Sequence, residues 1–391
     1  MVGINNCNYF HRENLKMKTK IKILAGIIIS VFFVYLSMKD VVFIKMWEAF
    51  LQVNFYYYVF IILGVYLTYV LKTLRWQILL SPLKKISYKT LYPTLLISFM
   101  LLIIMPARLG EFARAYLVGR KENISKTGAF SSIVIERILD GCIAILFFII
   151  AVSTSPQSSN ISILFEKIAP LSATSQSVFS TFMTITTNYN SDPNKITMNL
   201  EFKLMHLIYF IAFFYLAALF FVVLLKILKR RIVDLILKIL FFLPEKIRNS
   251  IEEMLESFIL GLECLSNFKN LLASVFYSFM IWGIVGAYTY LMLISFPGLE
   301  EIKFYIAFII VGFTVIGVMI PAAPGFIGTF HIVVMIAFKY YIPQADKNVA
   351  GSFAWVCWAI GTFYTIFVGL YHLKKEGLSI KSISDESKTN S

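Results

Sequence analysis

The sequence predicts an all-α polytopic integral membrane protein with six spans and two re-entrant hairpins, arranged as an inverted repeat. Three observations carry this reading. Of 391 residues, 59% are hydrophobic and only 15% charged, and the mean hydropathy is +0.77, well outside the composition of a soluble domain. Lys plus Arg (36) outnumber Asp plus Glu (22), and the basic residues cluster in short stretches between apolar runs, which marks membrane topology and argues against a nucleic-acid face. Two breaks rich in proline and glycine fall at matching places in the two halves of the chain. The four cysteines lie far apart without a C-x-x-C pair, so neither a disulfide framework nor a zinc site is implied.

Residues 1–20 form a cytoplasmic N-terminal segment with Arg12, Lys16, Lys18 and Lys20. The apolar run that follows, 21–38, is long for a signal peptide and lacks a small-x-small cleavage site, so it is expected to stay as the first span. Met17 offers a second start, and residues 1–16 need not belong to the natural chain. Runs at 55–74, 133–152, 206–227, 271–295 and 350–371 complete six crossings, a span needing roughly 17 to 25 residues. Three more, 91–105, 304–320 and 326–341, are short: fifteen helical residues reach only about 22 Å against a core of about 30 Å.

Charge decides how the short runs lie. With a cytoplasmic N-terminus and six crossings, the external side holds eight basic residues: Lys39, Lys45, Lys167, Lys195, Lys203, Lys303, Lys339 and Lys347. Arg137 lies inside a span, and the other 27 of the 36 fall on cytoplasmic segments, Lys72 at the end of the second run among them. The positive-inside rule then makes 91–105 enter and leave from the cytoplasm, and makes 304–320 with 326–341 a hairpin from outside, turning at Pro321-Ala322-Ala323-Pro324-Gly325. The parts are a first membrane repeat (21–152), an external loop (153–205) rich in Ser, Thr and Asn, a second repeat (206–372) and a cytoplasmic tail (373–391). The segment Ile104-Met105-Pro106-Ala107-Arg108-Leu109-Gly110 echoes Met319-Ile320-Pro321-Ala322-Ala323-Pro324-Gly325. The plainer alternative is eight or nine ordinary crossings with a coincidental echo. Residues 245–268 repeat Ile247, Ile251, Leu255, Phe258, Leu262 and Leu265 at helical spacing, an amphipathic helix on the membrane or the bundle.

Ionisable groups at membrane depth tend to face a cavity or one another. Arg108, Glu111 and Arg114 share one helix face just after the Pro106 break. They suit a phosphate through guanidinium forks, or form an interfacial salt-bridge network that anchors the hairpin. Glu136 and Asp140 are i, i+4 on the third span, with Arg137 between them, and are expected to face the interior and to meet Arg108 or Arg114. His331, on the second arm of the external hairpin, either titrates in a translocation path or hydrogen-bonds to backbone. No zinc, Walker or Rossmann motif occurs, so no catalytic residue, metal or cofactor is assigned.

At these residues the chain resembles the transmembrane region of lysylphosphatidylglycerol synthases, also described as flippase-like membrane proteins. The match rests on Arg75-Trp76, on Pro106-Ala107-Arg108-Leu109-Gly110-Glu111-Phe112-Ala113-Arg114 followed by Glu136-Arg137-x-x-Asp140, and on Pro321-x-x-Pro324-Gly325-x-x-Gly328, in order over about 75–372. Phe326 stands where the family often has a second glycine, and His331 where an acid is expected. The resemblance implies movement of a lipid between leaflets, and some relatives accompany glycosyltransferase machinery. The full synthases carry a soluble aminoacyl-transferring domain, for which Leu373–Ser391 leave no room, so the synthase activity is not carried over.

The expectation is a flippase-like transporter of an anionic or lipid-linked substrate in the plasma (inner) membrane, both termini cytoplasmic. Arg108, Glu111, Arg114, Glu136, Arg137 and Asp140 contact the substrate, while Pro106, Gly110, Pro321, Pro324, Gly325, Gly328 and His331 shape and gate the hairpins. The alternatives are a membrane-embedded transferase with Glu111, Glu136 or Asp140 as base, which leaves enzyme status open, or an accessory subunit. The partners expected are a membrane lipid or lipid-linked glycan, with a partner enzyme or a homo-oligomer compatible; nucleic acid is not.

Overall fold

The computed structural model describes residues 28–155, 210–319 and 324–378, apart from 29, 40, 106–108, 211–212, 223, 225–227, 229–230, 232, 235, 241–243 and 264–266. Among the described residues the chain is helical, without strands. In order the helices are α1 (30–38), α2 (Phe43–Leu51), α3 (Tyr56–Leu80), α4 (Tyr88–Ile104), α5 (Leu109–Glu122) and α6 (Lys126–Ser153). They continue as α7 (Phe213–Val222), α8 (Glu245–Gly261), α9 (Phe268–Ile294), α10 (Tyr305–Met319), α11 (Thr329–Tyr341) and α12 (Lys347–Lys375). Residues 156–205, nearly all of the segment expected as an external loop, and parts of the first and fourth apolar runs lie outside the described residues.

Helix starts follow caps and precede the apolar runs. Ser87 Oγ accepts from Lys89 N–H at 3.3 Å, Asn267 Oδ1 from Lys269 N–H at 3.0 Å, and Asp346 Oδ1 from Asn348 N–H at 2.6 Å, each satisfying a first-turn donor that has no helical partner. Hence α4, α9 and α12 begin before the runs at 91, 271 and 350. Among the described residues three helices, α3, α9 and α12, are long and apolar enough to cross a bilayer. At 28 residues α6 is as long, but Glu136, Arg137 and Asp140 interrupt its apolar character. Large apolar side chains such as Val59, Phe60, Phe220, Phe276 and Phe367 are exposed around the bundle, a belt suited to hydrocarbon and costly in water.

The antiparallel pair α3 and α9 holds one register from end to end. Asn54 N–H donates to Ser295 O at 2.9 Å, a Cβ on Gly64 would stand 3.1 Å from Tyr288, and Asn270 Nδ2 donates to Ser81 Oγ at 3.2 Å. Against this pair pack two helical hairpins. In α4–α5, a Cβ on Gly110 would come within 2.3 Å of Ser98 O and Leu102 N, so only glycine lets the arms close, and Lys121 Nζ donates to Thr94 Oγ1 at 3.1 Å nearer the base. In α10–α11, Gly317 plays the same part, a Cβ there lying 2.6 Å from Val333.

The hairpins enter from opposite ends. The base of α4–α5 sits by the C-terminal ends of α3 and α12, tied by Lys84–Glu122 (2.8 Å) and Lys121–Glu376. The base of α10–α11 sits by the C-terminal end of α9, where Phe304 packs on Tyr290 at 5.2 Å. Their tips meet in the interior: Gly325 lies beside Ile103 and Trp358, and Trp358 Nε1–H donates to Gly325 O at 2.7 Å.

Candidate functional site

Three helices bring their charged residues to one level near the first hairpin. Arg75 and Trp76 come from the last turns of α3, Glu111 and Arg114 from α5, and Glu136, Arg137 and Asp140 from α6. Arg75, with no exposed surface, forks Asp140 through Nη1–Oδ1 at 2.5 Å and Nη2–Oδ2 at 3.1 Å, and Nη1 also donates to Ser278 Oγ of α9 at 2.6 Å. Arg114, 2% exposed, forks Glu136 with both bonds at 3.0 Å. Its guanidinium stacks over Trp76 at 3.8 Å, and Trp76 Nε1–H is fixed in turn by Ser132 Oγ at 3.0 Å. Arg137 donates to Glu136, stands 3.5 Å from Asp140 Oδ2, and points Nε at Glu111 Oε1 from 3.8 Å.

The spacing explains the result. Glu136 and Asp140, one turn apart on α6, share the face that meets α3 and α5, so each carboxylate is placed to receive an arginine fork. Desolvating six charges is expensive, and the arrangement is tolerable because each carboxylate has an opposite charge close by. Both Arg114 Nη nitrogens donate to the Glu136 carboxylate, the salt-bridge alternative of the two readings, while its buried Nε has no hydrogen-bond partner among the described residues. Arg75 and Asp140 form a closed pair of the same kind.

Above this floor lies a cavity of about 370 Å³ between the two hairpin tips. At the floor end Lys72, Glu111 and Arg137 line it; farther along come apolar walls that include Met292, Ile310 and Val311. Gly325 and Phe326 of the second hairpin face it, as do Leu102 and Ile103 of the first. Glu136 and Asp140 do not line it, because the arginines cover them. Lys72 Nζ lies over the Phe99 ring at 4.9 Å and near Tyr69 at 5.5 Å.

Gly110 allows the close approach described above, while Gly325 (φ +76°) and Gly328 (φ +91°) adopt backbone conformations that only glycine takes cheaply. Pro324 opens the short 3₁₀ turn Pro324–Phe326. His331 does not face the cavity. It is 1% exposed, its Nδ1 accepts from Gly328 N–H at 3.3 Å, and Trp355 packs on it at 3.9 Å, the backbone-bonded alternative. Pro106, Arg108 and Pro321 lie outside the described residues. Sequence reasoning missed Lys72, because a lysine near the end of a run reads as an interfacial anchor. Its i, i+3 spacing to Arg75 was the available signal.

Buried arginine–carboxylate forks between interrupted helices, with an internal cavity in an apolar bundle, define an integral membrane protein built around a protected polar site. The family model described as the lysylphosphatidylglycerol synthase TM region matches residues 23–183 and 173–369, and the chain belongs to that family. No curated protein and no solved structure matches the chain.

Proposed function

We propose that the protein is a flippase-like transporter that moves an anionic or lipid-linked substrate between bilayer leaflets. The cavity between the hairpin tips carries the reading: it holds charged side chains and walls that are mostly apolar, with threonines and tyrosines among them, a mixture that suits an amphiphile. Its volume of about 370 Å³ falls near the low end of small-molecule sites, which run roughly 300–1,000 Å³. It suits a head group whose chains remain in the bilayer. In this reading six segments cross the membrane, the two hairpins are inverted counterparts, and the repeats at 21–152 and 206–372 alternate access around the site. The excess of Lys and Arg on the segments flanking α4–α5 supports a cytoplasmic base for that hairpin and cytoplasmic termini in the plasma membrane.

The test is reconstitution of purified protein into vesicles with head-group-labelled lipids, scoring leaflet exchange and product formation together. Exchange above protein-free vesicles is expected. Product without exchange would select a transferase, for which Glu111 is the carboxylate on the cavity wall among the described residues. Neither result would leave an accessory role.

A further inference from the structure

Helix α2 sorts its side chains by environment around its axis. At 3.6 residues per turn, Phe43, Ile44, Trp47 and Leu51 share one face, Lys45 and Glu48 with Gln52 just past the helix share a second, and Met46, Ala49 and Phe50 share a third, the three centred roughly 120° apart. The first face is apolar, yet each of its side chains is more than half exposed among the described residues; the second is polar and exposed; the third is buried or half-buried. That third face is seated on α12. Val42 N–H donates to Asn348 Oδ1 at 2.8 Å in the first turn of that helix, and a Cβ on Gly351, one turn later, would stand 3.2 Å from Val41 and 3.7 Å from Met46 Sδ. Past α2, Asn54 N–H meets Ser295 O at the end of α9, so α2 lies at the end of the bundle where α10–α11 has its base. Rings carry the exposed apolar face onward, Trp47 to Phe50 at 5.3 Å, Phe50 to Phe55 at 5.8 Å and Phe55 to Tyr58 at 5.5 Å. They reach the start of α3, where Val59, Phe60 and Leu63 belong to the exposed apolar belt.

We infer that α2 is an interfacial helix lying in the plane of the membrane at this end of the bundle, with Phe43, Ile44, Trp47 and Leu51 toward the acyl chains and Lys45, Glu48 and Gln52 toward water. The sorting around the circumference carries the orientation. Phe43 in the first turn matches Leu51 in the last, and Lys45 matches Gln52, so the boundary between hydrocarbon and water runs along the axis; a helix standing along the membrane normal would instead change from polar to apolar along its length. Nor is α2 a span. Its nine residues reach about 13 Å against a core of about 30 Å. Continuity decides what covers the apolar face: the Trp47–Tyr58 rings lead it into the belt of α3 that meets hydrocarbon, and the polar face stands beside it where head groups and water begin, an arrangement that a second copy seated on Trp47 does not call for. Trp47 suits this level, because an indole joins an apolar body to a polar N–H. The apolar face then sinks about 5–10 Å into the boundary between head groups and chains. Since Asn348 and Gly351 hold α2 to the first turns of α12, the level at which α2 floats sets the depth of that end of α12. No cavity-lining residue takes part, so the inference holds or fails apart from transport.

The experiment places single spin labels on the full chain, otherwise free of cysteine, in phosphatidylcholine vesicles. Ile44→Cys, Trp47→Cys and Leu51→Cys report the apolar face and Lys45→Cys and Glu48→Cys the polar one, while power-saturation electron paramagnetic resonance compares relaxation by oxygen, which concentrates in hydrocarbon, with relaxation by a water-soluble nickel chelate. Oxygen should act more strongly than the chelate at 44, 47 and 51, and less strongly at 45 and 48. A chelate dominant at every position would put the helix in water, and oxygen dominant at every position would bury it in hydrocarbon; either overturns the inference. So does poor access of both reagents to 44, 47 and 51 together with spin–spin broadening, which would mark a second copy on that face. The unlabelled protein gives a second reading. The emission that Trp47→Phe removes should be quenched most by phosphatidylcholine brominated near the head-group end of its chains. Strongest quenching by lipid brominated near the chain ends, or no quenching by either lipid, overturns the inference whatever the labelled variants show.

Discussion

Gly325 and Ile103 meet in the interior of the bundle, with the Cβ position of Gly325 3.8 Å from Ile103 Cγ2. They belong to hairpins entering from opposite ends, so this contact joins the two interrupted segments. At φ +76°, Gly325→Ala places a Cβ in left-handed backbone, at a cost of about 1–2 kcal/mol. Thermal unfolding in detergent should fall accordingly, and Ile103→Cys should react faster with a water-soluble thiol reagent in the alanine background. Equal labelling rates would mean that the turn does not shield Ile103.

Arg114→Lys should act on stability and leave lipid selection alone. The ammonium keeps the charge but gives up the two-point grip on Glu136 and the flat stacking on Trp76. A loss of roughly 1.5–3 kcal/mol is expected, the value of a hydrogen bond to a charged group. The ratio of phosphatidylglycerol to phosphatidylcholine bound should not move. A changed ratio would return Arg114 to the substrate contacts.

The Arg75–Asp140 pair predicts strong non-additivity. Arg75→Met or Asp140→Leu alone strands a buried charge and should cost about 3–5 kcal/mol. The double variant should be far less damaged than the sum of the two. A double-mutant cycle from denaturant unfolding measures this, and additive losses would remove the direct coupling.

Gly110→Ala should separate the arms of the first hairpin, since its Cβ would meet backbone atoms at 2.3 Å. Overpacking of this kind costs about 1–3 kcal/mol. Gly283→Ala is the control: nothing lies within 4 Å of a Cβ there, and alanine in mid-helix is favoured by about 1 kcal/mol. Opposite shifts in unfolding temperature are the expected outcome.

The proposed topology is tested by single cysteines at Ser180 and Leu240 in a background without the native ones. An impermeant reagent applied to intact cells should label position 180 and spare 240. The opposite pattern would invert the orientation.

The helices were largely legible because apolar runs and caps are local signals. Their starts were placed late, since Ser87, Asn267 and Asp346 act on the backbone ahead of the apolar stretch. The interior-facing character of Glu136 and Asp140 was also readable, from i, i+4 spacing inside an apolar segment. Which arginine each would meet was not: Arg75 and Arg114 stand on different helices, and the choice depends on how α3 and α5 pack against α6. Lys72 was hidden for the same reason. Its counting as a cytoplasmic charge ignored Phe99 and Tyr69, whose rings hold it over the cavity.

The balanced floor also bears on how the protein responds to a membrane potential. A unit charge crossing the full field exchanges about 2.3 kcal/mol per 100 mV, whereas three arginines moving together with three carboxylates exchange close to nothing. A motion that carried α3, α5 and α6 as a body would therefore move no net charge from these six groups through the field, and a membrane potential would find no lever on them.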